Sequence, residues 1–270
     1  MIKINHLLNP IPIHFSTTYQ PYFLRDNIIL NKDEIHIWLL DFEKIKNSFF
    51  DTSLILSSNE IEKGKKFRTS AQQRLFYLSH GYLRLILSAY LACHPQKIKF
   101  KYGQCGKPYL DKFFENSKEY VYFNMSHSHN AVFYGITLCS EMGVDLEYVQ
   151  QDFEWKEVES LVLTQKERKR ILLLPTKNAQ VKEFYKIWTC KEAFLKAFGT
   201  GLNILPSSIE TSHLPNFSHL NSNVREYTID YLAQTSTIYS LEILSNYISA
   251  FSVLGGVKSL KYFNITPVSG

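Results

Sequence analysis

The chain has 270 residues, about twice the usual domain of ~100–150, so it can bury a real core as one large domain or two smaller ones. With 45% hydrophobic and 20% charged residues, 11 Gly and 9 Pro, the composition excludes a disordered or fibrous protein. Thirty basic residues against 25 acidic ones leave +5, an excess that suits phosphate-bearing ligands but is too small for a dedicated nucleic-acid binder, where basic residues concentrate in one stripe.

Cys93, Cys105, Cys139 and Cys190 form no C-x-x-C pair, so neither a zinc ribbon nor a disulfide framework is expected and a reducing cytoplasm is the default. The opening MIKINHLLNPIPIHF is broken by His6, Asn9, Pro10 and Pro12, unlike the uninterrupted apolar run of a secretion signal. No stretch approaches the ~18 apolar residues of a membrane span; YLRLILSAYLAC is interrupted by Arg84. A soluble cytoplasmic protein with no membrane or nucleic-acid partner is the expectation.

Residues 1–33 are rich in Pro, Asn and Tyr without periodicity and read as an extended segment. EIHIWLL, with Ile35, Ile37 and Leu39 against His36, Trp38 and Leu40, reads as a strand buried on both faces. From Ser58 to Ala92 the pattern is helical, with Leu75, Leu78, Tyr82, Leu85 and Ala89 as the apolar stripe and Lys63, Lys65, Lys66, Arg68 and Arg74 at its front. GQCGKP at 103–108 is a turn. Strands are predicted at 120–125 and 131–138, separated by SHSHN, and at 143–149 in GVDLEYV. Helices follow at 154–174, broken near Thr164 and stopped by Pro175, and at 179–198, with Gly199 in a C-cap position. REYTIDYL, TIYSLEIL and YISAFSVL are further strands. Meandering strands mixed with helices, without regular β-α-β alternation, indicate an α+β fold.

Two places break local rules. In GVDLEYV the period of two puts Val144, Leu146 and Tyr148 on one face and Asp145 and Glu147 together on the other, which is either a solvated edge or a built acidic site. In the last long helix Glu192 falls inside the stripe of Val181, Phe184, Trp188 and Leu195. A carboxylate there costs several kcal/mol, about 3–5, unless paired or metal-bound. Lys196 and Lys191 could pair with it, which would account for Glu192 but not for two more carboxylates on a neighbouring strand. Three carboxylates suit a hard cation such as Mg²⁺, and adjacent lysines suit a pyrophosphate, the requirements of phosphoryl or phosphodiester transfer.

GVDLE at 143–147 followed by WTCKEAFLKAFGTGL at 188–202 resembles the paired signature of the 4′-phosphopantetheinyl transferases, in the two-domain form that acts on peptide and polyketide synthases. GKPYL and FNMSHS upstream are similar to the same family's G-K-P and F-N-x-S-H blocks, in the same order. The similarity spans about residues 35–205. In one departure, Ser79-His80-Gly81 stands where relatives often carry Arg in an S-R-G run.

The resemblance implies two similar α+β halves packed as a pseudo-dimer in one chain, dividing near Glu141 into residues 34–141 and 142–270 after the extended segment 1–33. It implies that Asp145, Glu147 and Glu192 hold Mg²⁺, with Mn²⁺ as an alternative, against the pyrophosphate of coenzyme A, which is the substrate. Lys196, His127, Ser126 and Lys107 complete the coenzyme site, and Lys63, Arg68 and Arg74 meet the ribose 3′-phosphate unless they form a merely solvated helix face. His127 and His129 could otherwise be metal ligands, but lack a further Cys or His nearby. Catalytic roles fall to His127, Lys196, Lys191 and Glu167, the last as general base, although Thr164-x-x-Glu167 is also a capping box. The implied activity is that of a monomeric holo-acyl-carrier-protein synthase. It moves phosphopantetheine to a serine of an apo acyl or peptidyl carrier protein, in fatty-acid, polyketide or nonribosomal peptide synthesis. Two other classes fit the same residues: a Mg²⁺-dependent phosphodiesterase that transfers to water, and a coenzyme- or carrier-binding module without turnover.

Overall fold

A computed structural model of the chain describes residues 3–4, 11–15, 28–45, 51–111, 119–213, 224–231 and 234–267. In chain order the elements are β1 (Lys3–Ile4), β2 (Ile11–Phe15), β3 (Glu34–Asp41), α1 (Ser58–Gly64), α2 (Ser70–Leu91), β4 (Phe100–Tyr102), β5 (Pro108–Leu110), β6 (Tyr122–Ser128), β7 (Ala131–Thr137) and β8 (Met142–Tyr148), then α3 (Glu159–Val162), α4 (Gln165–Leu172), α5 (Lys177–Phe198), β9 (Glu210–His213), β10 (Val224–Tyr231), β11 (Gln234–Leu241), β12 (Tyr247–Val253) and β13 (Ser259–Pro267). The fold is α+β.

Period-two alternation sorts the strands into four layers. In β3 and β7, Ile35, Ile37, Leu39, Ala131 and Phe133 face one way, while Trp38, Leu40, Val132, Tyr134 and Ile136 face α2. In β8 and β12, Met142, Val144, Leu146, Phe251 and Val253 close onto the first set, whereas Ile248 and Ala250 pack against α5. The order through the molecule is therefore α2, the sheet β1-β13-β3-β7-β6, the sheet β8-β12-β11-β10-β9, and α5. Two 22-residue helices thus flank two facing sheets.

Four expectations change. The helix read over 58–92 is two helices: Ser57 and Glu60 form a capping box that starts α1, and Thr69 Oγ1 accepts from Gln72 N–H to start α2. The Tyr77 ring occupies the space a Cβ on Gly64 would need, 2.0 Å away, so only glycine lets α2 fold back against the end of α1. The stripe on α2 is also rotated: Leu78, Tyr82, Leu83, Ile86 and Leu87 are buried, with Leu75 and Leu85 only half-buried. Residues 126–128, read as a loop, belong to β6 because they continue its ladder with β7, Ser126 opposite Phe133 to Ser128 opposite Ala131. Finally, β13 does not stay with the second sheet but inserts parallel beside β3, from Ser259 opposite Glu34 to Ile265 opposite Leu40. No motif in the last 65 residues carries that information. Within residues 1–33, β1 and β2 add parallel to β13, and the remainder up to residue 27 lies outside the described residues.

Candidate active site

The acidic strand β8 is an edge strand by its ladder, yet its free edge is not open to solvent. Along β6 the alternating residues Asn124, Ser126 and Ser128 all turn toward it. Val144 N–H donates to Asn124 Oδ1 at 2.9 Å, Ser126 Oγ donates to Asp145 Oδ1 at 2.9 Å, and Ser128 Oγ donates to Glu147 Oε2 at 3.1 Å while accepting from Tyr148 N–H at 3.1 Å. A side-chain ladder with the period of a strand therefore joins the two sheets and orients both carboxylates.

Gly143 lets α5 approach the other face of β8. A Cβ there would lie 2.0 Å from the Ala193 carbonyl oxygen and 2.4 Å from the Ala197 nitrogen, so any side chain would push helix and strand apart. With the helix seated, Trp188 Nε1 donates to Glu147 Oε1 at 3.1 Å and Lys196 Nζ donates to Asp145 Oδ1 at 2.6 Å and to Ser126 Oγ at 3.0 Å. One turn before Lys196, Glu192 has no hydrogen-bond partner among the described residues. Burial, then the Asp145 charge, raises the pKa of Glu192; the same two causes raise that of Glu147. Asp145 is buried, and its Oδ2 has no hydrogen-bond partner.

These observations are a test of whether a divalent cation suits the site. An orphaned buried carboxylate oxygen and two carboxylates held partly against their charge are relieved by a hard cation, so the donor set fits. Among the described residues, no group of three Asp, Glu, His or Cys side chains stands arranged to hold a metal. Lys196 supplies positive charge to Asp145 in this structure.

The other expected residues divide. His127 follows Phe123 and Met125 onto the α2 side of β6, where its side chain remains accessible; local crowding, then the Lys196 charge and that of His80, lowers its pKa. Lys107 reaches Glu141 Oε2 at 2.5 Å and the Ala197 carbonyl at 3.2 Å, so the G-K-P turn places a cation on the C-terminal end of α5. Burial lowers its pKa. Lys63 lies over the Phe76 and Tyr102 rings, 5.9 and 5.8 Å from their centroids, and Arg68 and Arg74 are exposed at the start of α2.

Glu167 and Lys191, expected in catalytic roles, pair with each other rather than with the three carboxylates. Both are fully excluded from solvent and paired at 2.6 Å. Lys191 Nζ also donates to the carbonyls of Val162 at 2.7 Å and Pro206 at 2.9 Å, using all three of its protons. Glu167 accepts from Thr164 N–H, Thr211 N–H and Thr211 Oγ1 at 2.6–2.8 Å, which ties α4, α5 and β9 together. Saturated by four donors and sealed, it presents no oxygen to a substrate.

Sequence reasoning missed Asn124, Ser128 and Trp188, though the alternation Asn-x-Ser-x-Ser in FNMSHS carried the signal for the first two. It also missed the buried Glu60, whose Oε2 accepts from Ser57 N–H and Oγ and from Arg84 Nε at 2.6–2.8 Å.

The geometry defines a metal-compatible acidic site bordered by cations, where β6, β8 and α5 meet. The 4′-phosphopantetheinyl transferase superfamily profile matches residues 141–252, which hold β8, α5 and all three carboxylates. The chain is 34% identical over 177 residues to the 4′-phosphopantetheinyl transferase HetI of Nostoc sp. (strain PCC 7120), covering 65% of this chain and 73% of that protein. It is 32% identical over 149 residues to the putative 4′-phosphopantetheinyl transferase slr0495 of Synechocystis sp. (strain PCC 6803), covering 55% and 59% of the two. To the L-aminoadipate-semialdehyde dehydrogenase-phosphopantetheinyl transferase of Schizosaccharomyces pombe it is 27% identical over 198 residues, covering 68% and 73%. The chain belongs to the 4′-phosphopantetheinyl transferase superfamily. No helix among the described residues is long and apolar enough to cross a membrane.

Proposed function

We propose that the protein transfers the 4′-phosphopantetheine arm of coenzyme A to a serine hydroxyl of an apo acyl or peptidyl carrier protein, releasing 3′,5′-ADP. The serine oxygen forms a bond to the phosphorus that bears the pantetheine arm while its proton is released to solvent, and the bond from that phosphorus to the bridging oxygen breaks, leaving its electron pair on the departing nucleotide. The observation that supports this reading most directly is the Lys196–Asp145 contact beside the mutually repelling charges of Glu147 and Glu192, with Asp145 Oδ2 left unpartnered.

In this reading Asp145, Glu147 and Glu192 hold Mg²⁺ or Mn²⁺, which when bound neutralises pyrophosphate charge as the bond breaks. Lys196, half-exposed and anchored to Ser126, balances negative charge on the same phosphates, and His127 borders them from β6. Trp188 and Ser128 fix both oxygens of Glu147, so that its orientation costs nothing to recruit. Glu167 and Lys191 act as positioning residues, holding the segment before α4 and strand β9 on α5. The coenzyme and the carrier protein are the two substrates, and a cytoplasmic location and monomeric state accord with the proposal.

The test is intact-protein mass spectrometry of apo carrier proteins of fatty-acid, polyketide and peptide type after incubation with the enzyme, coenzyme A and Mg²⁺. A gain of one phosphopantetheine arm, abolished by EDTA, is expected. Cleavage of coenzyme A without carrier modification would indicate the phosphodiesterase, and binding without cleavage on any carrier would indicate the module.

A further inference from the structure

Period two puts Glu34, His36 and Trp38 on one face of β3, and all three are buried. Across the parallel ladder from them stand Ser259, Lys261 and Phe263 of β13, in that order. Phe263 stacks on the Trp38 indole with centroids 4.5 Å apart, and Glu34 Oε2 accepts from Lys261 Nζ at 3.2 Å while Oε1 accepts from Ser259 Oγ at 3.4 Å. Asn31 adds its backbone N–H and its side-chain amide to Glu34 Oε2 at 3.3 and 3.1 Å. The proposed transfer uses none of these groups.

Donors and acceptors fix the protonation of the histidine in the middle. An indole N–H can only donate, so Trp38 Nε1 donates to Tyr90 Oη at 2.9 Å. The hydroxyl proton of Tyr90 then has one acceptor among the described residues, His36 Nδ1 at 2.8 Å, which carries no proton of its own. His36 Nε2–H donates onward to Glu34 Oε2 at 3.1 Å. A second proton on the ring would sit on Nδ1 against that of the hydroxyl, and would leave the hydroxyl without an acceptor in a sealed site. Among the described residues, the charged and titratable groups facing the imidazole are Glu34 from its own strand, Lys261 from β13 and Tyr90 from α2, while β7 presents Ile136 opposite. Burial holds the pKa of His36 at about 4; the Glu34 charge pulls it up and the Lys261 charge pushes it down.

We infer that this relay is an acid-sensitive latch on the last strand: protonation of His36 breaks the bond from Tyr90 and frees β13, with β1 and β2 paired to its far side, from β3. The inference goes beyond the proposed function, since no coenzyme, metal or carrier takes part. A histidine kept neutral by the fold contributes stability that is present above the ordinary value of 6.5 and lost as pH falls toward 4. Burial raises the pKa of Glu34, but His36, Lys261 and Asn31 more than offset this and lower it, so its own contribution is lost in the same direction as pH falls below 4.5.

Hydrogen exchange with mass spectrometry on the full chain, corrected for the intrinsic pH dependence of amide exchange, reads the latch strand by strand, with β12 as the internal control. Protection of β13 is expected to fall about 10- to 100-fold between pH 7.5 and 4.5, roughly tenfold for each pH unit spent below the ordinary value of the imidazole, while β12 keeps its protection and neutral pH restores β13. His36→Gln, whose amide can donate to Glu34 and accept from Tyr90 without titrating, is expected to remove the fall. Where that variant does not fold, the wild-type imidazole decides: its NMR signals are expected to show the Nε2–H tautomer at neutral pH and to titrate well below 6.5. Flat protection of β13, a fall shared equally by β12, a fall that persists in folded His36→Gln, or a His36 that titrates at 6.5 or above would each overturn the inference.

Discussion

Lys196 Nζ stands 2.6 Å from Asp145 Oδ1, bridging helix α5 to strand β8 beside Gly143, whose missing side chain lets the two close. The lysine therefore has two tasks: it neutralises a buried carboxylate and stays half-exposed. Lys196→Ala is expected to lower the rate of carrier modification by about 10²–10³-fold, the usual cost of losing one preorganised charge at a reacting phosphate. The check is single-turnover transfer, with thermal unfolding showing a modest loss from the unpaired Asp145.

Glu192→Gln should separate activity from stability. Burial and the Asp145 and Glu147 charges outweigh that of Lys196 at this residue, so removing its charge is expected to abolish transfer while leaving the melting temperature equal or higher. Retained transfer would remove Glu192 from the metal site.

The same repulsion predicts how Mg²⁺ and pH act on stability. Glu147 and Glu192 have pKa values raised in the folded state, so the folded protein binds more protons than the unfolded chain as pH rises from the ordinary value of 4.5 toward their folded values. Their contribution is thus a loss of stability with rising pH across that window, complete above it. Mg²⁺ is expected to stabilise the fold at neutral pH by about 2.7 kcal/mol at a hundredfold excess over its dissociation constant, seen as a higher melting temperature, and to lose its effect as the window is crossed downward. Differential scanning fluorimetry between pH 4.5 and 8, with and without Mg²⁺, reads this directly.

For Glu167 and Lys191 the expectation is the opposite of that for a catalytic pair. Lys191→Met or Glu167→Gln leaves a buried partner uncompensated, at about 3–5 kcal/mol, whereas the double variant is less damaged than the sum of the two. Whatever fraction of Glu167→Gln remains folded at low temperature is expected to transfer at close to the wild-type rate. A folded but inactive Glu167→Gln would restore the general-base role.

Glu60 governs the acid limb. Burial raises its pKa, but His80, Ser57 and Arg84 more than offset this and hold it at about 2. A depressed carboxylate contributes stability that is present above the ordinary value of 4.5 and lost as pH falls toward 2. Glu60→Gln is therefore expected to flatten the loss of stability over that interval in urea titrations, at the cost of lower stability near neutrality.

The candidate site was far more legible than the layout that carries it. Asp145 and Glu147 share a strand face by period two, and Glu192 and Lys196 share a helix face at i+4, so local geometry alone announces half of the site. The ladder from β6 was written in Asn124, Ser126 and Ser128, but its partner strand was not, because side-chain spacing says nothing about which edge it meets. Glu167 shows the reverse failure. Its capping-box pattern was correct, while its sealing by Lys191 and Thr211 depends on long-range packing that no local pattern records. The destination of β13 was illegible for the same reason: a buried strand reads alike in either sheet.

That last strand has a consequence for how the protein comes into being. Ser259 pairs with a strand 225 residues earlier, and β13 stands between β3 and the N-terminal strands rather than at the rim. During synthesis, β3, β6 and β7 emerge from the ribosome long before β13 does, so the edge of β3 waits through the assembly of the whole second sheet. A ribosome stalled before residue 259 would carry a nascent chain with that edge exposed, a template for chaperones or for another copy, and only the arrival of the last strand would close it.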